Sequence, residues 1–97
     1  MVRPYQTEIP PNLASVIRSM HPELKRFVRA GLESIAANPE SGEPLQGKLR
    51  RYWKYGVRRF RIIYAIDRTK RTIRVVAIAH RRAVYEELAA RLRQQGS

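Results

Sequence analysis

The chain has 97 residues, 43% of them hydrophobic, and a formal net charge of +12 from 20 Lys and Arg against 8 Asp and Glu. A chain this short buries one core, because dividing it would expose too much surface, so we expect a single domain over residues 1–97. The absence of cysteine and the wide spacing of His21 and His80 argue against a disulfide framework or a local metal site, and we expect neither metal nor cofactor.

Nothing in the chain is typical of a membrane or secreted protein. No stretch reaches the roughly 18 to 20 apolar residues of a membrane span. The first residues, Met1 to Tyr5, lack the apolar run of a signal peptide. We therefore expect a cytoplasmic protein without a membrane partner.

The positive charge is confined to the second half of the chain. Residues 1–47 hold five basic and five acidic residues, whereas residues 48–97 hold fifteen basic and three acidic ones, which leaves the whole +12 there. Such asymmetry favours a polyanionic partner, because neutralised phosphates release their counterions, or an acidic protein that masks the charge. A merely soluble surface is the alternative.

The first predicted elements are a short strand and a short helix. Residues Tyr5 to Ile9 alternate apolar and polar side chains, which predicts a half-buried strand that Pro10-Pro11 ends. Asn12 is a favourable helix cap, and it predicts a helix that runs through Met20.

The clearest helix begins after the break at His21-Pro22 and stops at Asn38-Pro39. Apolar residues recur in it at spacings of three and four, which predicts a face turned to the core. These residues are Leu24, Phe27, Val28, Gly31, Leu32, Ile35 and Ala36.

A sheet is predicted for the second half, after a loop from Glu40 to Gly47. Aromatic and β-branched residues dominate there and their period approaches two. The predicted strands are Tyr52–Val57, Phe60–Asp67 and Thr72–His80, with turns at Arg58-Arg59 and at residues 68–71. The last strand is almost continuously apolar, which indicates an interior position in the sheet.

A final helix follows the last strand. Its apolar side is formed by Ala83, Val84, Leu88 and Leu92, and Glu87 and Arg91 are spaced to pair on its surface. The order of elements predicts the α+β class: a curved antiparallel sheet, two N-terminal helices packed on one face and a C-terminal helix. We expect the helices to share one face and to leave the other face and the strand ends free to bind.

The order and spacing of several short motifs across nearly the whole chain resemble the RelE/ParE toxin superfamily of type II toxin–antitoxin systems, and its RelE branch most closely. These motifs are Asn38-Pro39, Gly42, Pro44-Leu45, Gly47, Leu49, Trp53-Lys54-Tyr55, Val57, Phe60 to Asp67, His80-Arg81-Arg82 and Val84-Tyr85-Glu86. The resemblance implies a RelE-like fold and a ribosome-dependent endoribonuclease, an mRNA interferase, that inhibits translation without metal. It also implies an antitoxin partner, which the charge predicts to be acidic.

The residues themselves agree with RNA chemistry. Cutting RNA without a metal requires a base for the 2′-hydroxyl, cations for the phosphorane and an acid for the leaving 5′-oxygen. Arg61 lies within an apolar strand, where alternation turns its side chain away from Phe60 and Ile62. Such a placement favours phosphate binding, with a carboxylate pair to Asp67 as the alternative.

Three further residues match positions of the family. Arg81 matches an arginine that stabilises or protonates the leaving group, and because arginine stays charged, phosphate stabilisation is the role we expect. Tyr85 matches a tyrosine that stacks on or orients the nucleotide, although an amphipathic core tyrosine is equally consistent. Lys54 matches a basic residue of the first hairpin strand. We predict that Lys54, Arg58, Arg59 and Arg82 bind RNA.

One position departs from the family pattern. Gly56 stands where active relatives place a second basic residue as the general base, and glycine cannot accept a proton. Either Lys54, Arg58 or His80 supplies the base, or catalysis is weak, or the chain binds RNA without cutting it. Histidine suits proton transfer near neutral pH, and the alternative for His80 is a hydrogen bond to backbone at a strand end.

Two other classes of function remain open. A ParE-like toxin that inhibits gyrase without nuclease activity is favoured by Gly56, whereas the compact loop from Asn38 to Gly47 and the segment His80-Arg81-Arg82 favour the RelE branch. A plain nucleic-acid-binding module with an acidic partner is permitted by the charge alone.

Overall fold

A five-stranded sheet in the order β1-β5-β4-β3-β2 organises the chain in this computed structural model, which describes residues 3–96 and the side chains of residues 3–93. The strands are β1 (Gln6–Glu8), β2 (Glu43–Pro44), β3 (Tyr52–Val57), β4 (Phe60–Asp67) and β5 (Thr72–His80). The helices are α1 (Pro11–Arg18), α2 (Pro22–Ala37) and α3 (Val84–Gly96), with single 3₁₀ turns at Pro39–Ser41 and Gly47–Leu49. The α+β class is confirmed, and the three long strands have the predicted bounds.

The prediction that Asn12 caps the first helix is wrong. Proline has its φ preset for the first helical position, so α1 begins at Pro11 and Asn12 lies inside its first turn. The helix ends at Arg18, two residues before the predicted Met20. In α2, by contrast, the His21 side chain caps the start by accepting a hydrogen bond from the backbone N–H of Glu23.

The sheet is mixed rather than wholly antiparallel, because β1 pairs with β5 in parallel while the other neighbours are antiparallel. Helices α1 and α2 follow β1 in the chain, and they connect this edge strand to the remaining strands of the sheet. β5 lies between β1 and β4, which confirms the interior position predicted from its apolar run.

The helices pack on both faces of the sheet, so the expectation that they share one face is wrong. α1 and α2 cover one face, where the core contains Leu13, Ile17, Val28, Ile35, Val57, Ile62, Tyr64, Ile73, Val75 and Ile78. Val84 and Leu88 of α3 pack on the other face, against Ile63, Val76 and Ala77. The physical reason is that the apolar side of α3 needs a buried partner, and the first face is already occupied.

Tyr64 anchors the loop that follows α2. Its side chain is fully buried, and its hydroxyl donates a 2.7 Å hydrogen bond to the Pro39 carbonyl and accepts one of 3.2 Å from the Gly42 N–H. A Cβ atom at Gly42 would collide with the Lys54 carbonyl oxygen, so this position requires glycine. Burial raises the pKa of Tyr64.

Candidate active site

A hydrogen bond between side chains joins β4 to α3 at one end of the sheet. Arg61, half-buried near the start of β4, donates from Nη1 to the Tyr85 hydroxyl at 3.1 Å. Tyr85 lies in the first turn of α3 and is 42% exposed. The structure therefore brings together two of the residues predicted from sequence, with the tyrosine ring open to a ligand.

A cavity of about 300 Å³ lies beside this pair and includes Arg61 in its wall. Lys54 and Gly56 of β3 also line it, as does Glu43 of β2. Glu43 stands directly opposite Lys54 in the β2–β3 pairing, and Gly56 stands opposite Arg61 in the β3–β4 pairing. Residues directly opposite in a sheet share a face, so the carboxylate and both cations project from the face that α3 partly covers.

Glu43 is the functional candidate that sequence reasoning missed. It lies in a segment of serine, glycine and proline that predicts a loop, and only its two-residue pairing with β3 places it beside Lys54. The sequence holds no local signal of this placement, because Glu43 lies in the charge-balanced half of the chain, three residues after another glutamate. A carboxylate beside two cations can accept a proton while they stay charged.

The turn that follows β5 lies against the β3–β4 hairpin. The Arg81 N–H donates a 2.7 Å hydrogen bond to the Arg59 carbonyl. Arg59, Arg81 and Arg82 are all exposed, and they belong to the two segments that this hydrogen bond joins. They add positive charge to the end of the sheet at which β4 begins and β5 ends.

His80 lies apart from the Arg61–Tyr85 pair. In the β4–β5 register His80 stands opposite Phe60, while Arg61 stands opposite Ala79, so the His80 and Arg61 side chains point to opposite faces. The His80 ring contacts the Phe60 ring edge-on at 5.8 Å between centroids. Its Nδ1 accepts a hydrogen bond from the Arg82 N–H at 3.3 Å, which is the backbone-bonded alternative considered above.

Arg58 also points away from the cavity. Its φ is +57°, a left-handed conformation that the tight hairpin imposes at a cost of about 1 kcal/mol or more in a residue other than glycine. Its guanidinium lies 4.1 Å from the centroid of the Phe27 ring of α2. The structure therefore places Arg58 on the α2 side of the hairpin, opposite Arg61.

The proposed pairing of Arg61 with Asp67 does not occur. Asp67 lies at the far end of β4 and accepts a hydrogen bond from the Lys70 N–H at 3.0 Å. Within residues 3–93 the ion pairs are Arg68 with Glu40 and, as the sequence spacing predicted, Arg91 with Glu87. Arg61 forms no ion pair in this part of the chain, so its charge is available to an anion.

Two observations concern metals and membranes. No three His, Asp or Glu side chains among the described residues come together as a metal site would require. None of the helices within residues 3–96 has the length and apolar character to span a membrane.

The fold and the site define a small basic α+β protein with an arginine–tyrosine pair beside a basic cavity. A model of the ParE toxin of the type II toxin–antitoxin system parDE matches residues 13–85. The chain therefore belongs to the RelE/ParE toxin superfamily, as its sequence motifs predicted, and is a toxin of a toxin–antitoxin system.

Solved structures share this fold. They include a double-arginine mutant of the free RelE toxin of Escherichia coli, with a TM-score of 0.73, 19% identity and coverage of 92% of this chain and 98% of that one. The RelBE2 toxin–antitoxin complex of Mycobacterium tuberculosis has a TM-score of 0.71 and 18% identity, and the match covers 82% of this chain and 94% of that one. The archaeal RelE–RelB complex of Pyrococcus horikoshii has a TM-score of 0.65 and 14% identity, and the match covers 79% of this chain and 94% of that one. No curated protein matches the chain significantly.

Proposed function

We propose that this toxin is a metal-independent endoribonuclease of the RelE type, which cuts mRNA on the ribosome and so inhibits translation in the cytoplasm. The observation that carries the proposal is the cavity in which Arg61, Lys54 and Glu43 meet beside the exposed ring of Tyr85. Fold similarity alone does not assign an activity, so the argument rests on these side chains.

The cavity holds a candidate base and two cations for this reaction, and Tyr85 beside it is a candidate acid. Glu43 would remove the proton of the 2′-hydroxyl, whose oxygen then attacks the adjacent phosphorus and forms a 2′,3′-cyclic phosphate. Arg61 and Lys54 would stabilise the negative charge that develops on the phosphorane oxygens. The bond from phosphorus to the 5′-oxygen breaks, and that oxygen takes up a proton for which the Tyr85 hydroxyl is the candidate donor.

The hydrogen bond from Arg61 and the exposure of the ring support a role for Tyr85 at the phosphate or the leaving oxygen. Its hydroxyl oxygen accepts the Arg61 hydrogen bond, which leaves its own proton free to be donated to the RNA. The exposed ring also offers a surface on which a base can stack. Arg81 would add a positive charge at the leaving group from the adjoining turn.

The surrounding arginines would bind the RNA backbone. Arg59 and Arg82 are exposed near the end of the sheet that holds Arg61, and they would contact phosphates of the RNA backbone. Arg58 would contribute from the α2 side of the hairpin, as a more distant attraction. The His80 ring faces away from the cavity, which favours Glu43 over His80 as the base.

The proposal includes an acidic antitoxin that binds this chain and neutralises it. Two of the similar solved structures are complexes of a RelE toxin with its RelB antitoxin. The excess of fifteen basic over three acidic residues in residues 48–97 favours an acidic partner. Its association should slow as salt screens these charges.

A ParE-like gyrase inhibitor is the second candidate, because the matching family model is that of the ParE toxin. The two candidates are separated by adding the purified protein to translating ribosomes with a defined message and, separately, to gyrase with relaxed plasmid. Our proposal predicts cleavage at codon positions in the first assay and normal supercoiling in the second. Inhibited supercoiling with an intact message would assign the protein to the gyrase inhibitors.

A further inference from the structure

A second basic groove of about 550 Å³ lies on the same face of the sheet as the cavity, but at the other end. Its floor is a row of residues paired across four strands: Glu8, Arg74, Ala65 and Tyr52. α3 packs over Ile63 and Ala77 in the middle of this face, so the groove remains open beyond it. At about 3.3 Å per residue, the four positions from Arg61 to Ala65 separate the two sites by about 13 Å along β4.

The groove is positively charged. Four cations line it, namely Arg51, Arg68, Lys70 and Arg74, against the carboxylates of Glu8 and Asp67, which leaves a balance of four minus two, or +2. Arg68 is engaged with Glu40, and Asp67 is engaged with the turn through the Lys70 N–H. Lys70 and Arg74 make no ion pair within residues 3–93, so their charges are available.

The groove suits a phosphate backbone better than a protein. Protein partners obtain most of their binding energy from large apolar or aromatic anchors. The large hydrophobic side chains exposed among the described residues are Val16 and Tyr85, and neither lines the groove. The apolar part of the floor is small, and Tyr52 is only 5% exposed. Phosphate binding needs no such anchor, since cations and released counterions supply the energy.

We infer that this groove is a second RNA-binding site, in which Lys70 and Arg74 hold phosphates of a strand that extends beyond the nucleotides in the Arg61–Tyr85 cavity. The inference rests on the proposed function, because both sites lie on one face and would serve the same RNA. A long RNA would then be held at two places, and a short one only at the cavity.

The test compares two double variants that each remove two exposed charges. Lys70→Ala/Arg74→Ala changes the groove, and Arg26→Ala/Arg29→Ala is the matched control on α2. Binding of fluorescent single-stranded RNAs of about three and about twenty nucleotides is measured over a series of salt concentrations. The salt slope is the steepness with which the logarithm of the binding constant falls as the logarithm of the salt concentration rises. For the long RNA the groove variant should lower this slope by about 1.4, which is two phosphate contacts at about 0.7 each, whereas the control should leave it near the parent value.

The short RNA should bind the parent and the groove variant equally. Equal slopes for the two double variants, no binding of the long RNA to the parent, or weakened binding of an acidic protein partner with unchanged RNA binding would each overturn the inference. Arg74→Lys, which keeps the charge, should retain the parent slope, and thermal unfolding should show that every variant folds. Failure of the proposed function is distinct, because it appears as an intact message on ribosomes whatever the salt slopes show.

Discussion

The Arg61 guanidinium donates to the Tyr85 hydroxyl across 24 positions of sequence, and this bond ties the start of β4 to the first turn of α3. It explains why an arginine occurs between Phe60 and Ile62 in a mostly buried strand. The side chain lies at the end of the sheet, where its charge meets the Tyr85 hydroxyl instead of the core. An anion bound there would contact both residues.

Replacing Arg61 by alanine should lower ribosome-dependent cleavage by about a hundredfold or more, because removing one positioned charge from a developing oxyanion costs about 2.7 to 4 kcal/mol. The fold should persist, since Arg61 is not part of either buried core. Rates of message cleavage are measured beside Arg26→Ala, an exposed arginine on α2 that should behave like the parent. Equal rates for both variants would refute the assignment of the site.

Substitutions of Tyr85 separate stacking from proton donation. If the ring stacks on a base, Tyr85→Phe should cleave faster than Tyr85→Ala, because stacking contributes about 1 to 3 kcal/mol per base. If the hydroxyl donates a proton, both variants should be equally slow. Values of kcat/KM, which include the loss of binding, distinguish the two outcomes, and parent-like values for both would exclude Tyr85 from the site.

The identity of the base is tested by Glu43→Gln and His80→Gln. Glu43 lines the cavity with Arg61, whereas His80 lies on the opposite face, so we expect a fall of about a hundredfold or more for Glu43→Gln and a small change for His80→Gln. Glu33→Gln on the exposed side of α2 is the matched control. A large fall for His80→Gln with intact RNA binding would identify the histidine as the base instead.

Gly56→Lys restores the basic residue that the family pattern has at this position. A Cβ atom at Gly56 would meet nothing within 4 Å, so the strand has room for the side chain. The new charge stands opposite Arg61 and beside the cavity, and it should raise the cleavage rate and steepen the salt dependence of RNA binding by about 0.7 per added phosphate contact. Unfolding measurements serve as the control, and a slower rate in a stable variant would contradict this expectation.

Tyr64→Phe should destabilise the fold by about 1 to 3 kcal/mol, because the part-buried Gly42 N–H and Pro39 carbonyl would lose their partner. Burial, and secondarily Tyr55, raises the pKa of Tyr64 above its ordinary value of 10.0, against an opposing effect of the Gly42 hydrogen bond. The folded tyrosine thus keeps its proton where the unfolded one loses it, so its contribution is complete below pH 10 and falls as pH rises further. Denaturant unfolding of the parent and variant from pH 8 upward should show their difference shrinking above pH 10, and a constant difference would contradict the argument.

The long strands could be predicted from sequence because runs of aromatic and β-branched residues carry their own period. The turns at Arg58-Arg59 and residues 68–71 followed from the same pattern. The face that α3 covers could not be predicted, because it depends on which face α1 and α2 had already filled. The parallel pairing of β1 is likewise a tertiary property, set by Gln6 to Glu8 adding to the free edge of β5.

The candidate site was only partly predictable for a similar reason. Arg61 could be predicted because a charged residue is unusual within an apolar strand. The alternation of side chains correctly predicted that Arg61 faces away from the core residue Ile62. Glu43 carries no local signal, since its position depends on a two-residue pairing with β3. Arg58 is three residues before Arg61 in the chain, and His80 lies next to the partner of Arg61 in the β4–β5 pairing. A left-handed turn at Arg58 and the alternation of β5 at His80 nevertheless place both side chains on the other side.

The most direct test of our central claim is the chemistry of the ends produced when the purified toxin acts on a defined message in translating ribosomes. Attack by the 2′-hydroxyl predicts an upstream fragment that ends in a 2′,3′-cyclic phosphate and a downstream fragment that begins with a 5′-hydroxyl, and both should disappear with Arg61→Ala. Mass spectrometry of the fragments identifies these groups. An intact message, or ends that carry a 3′-hydroxyl and a 5′-phosphate, would contradict the proposed cavity and its mechanism.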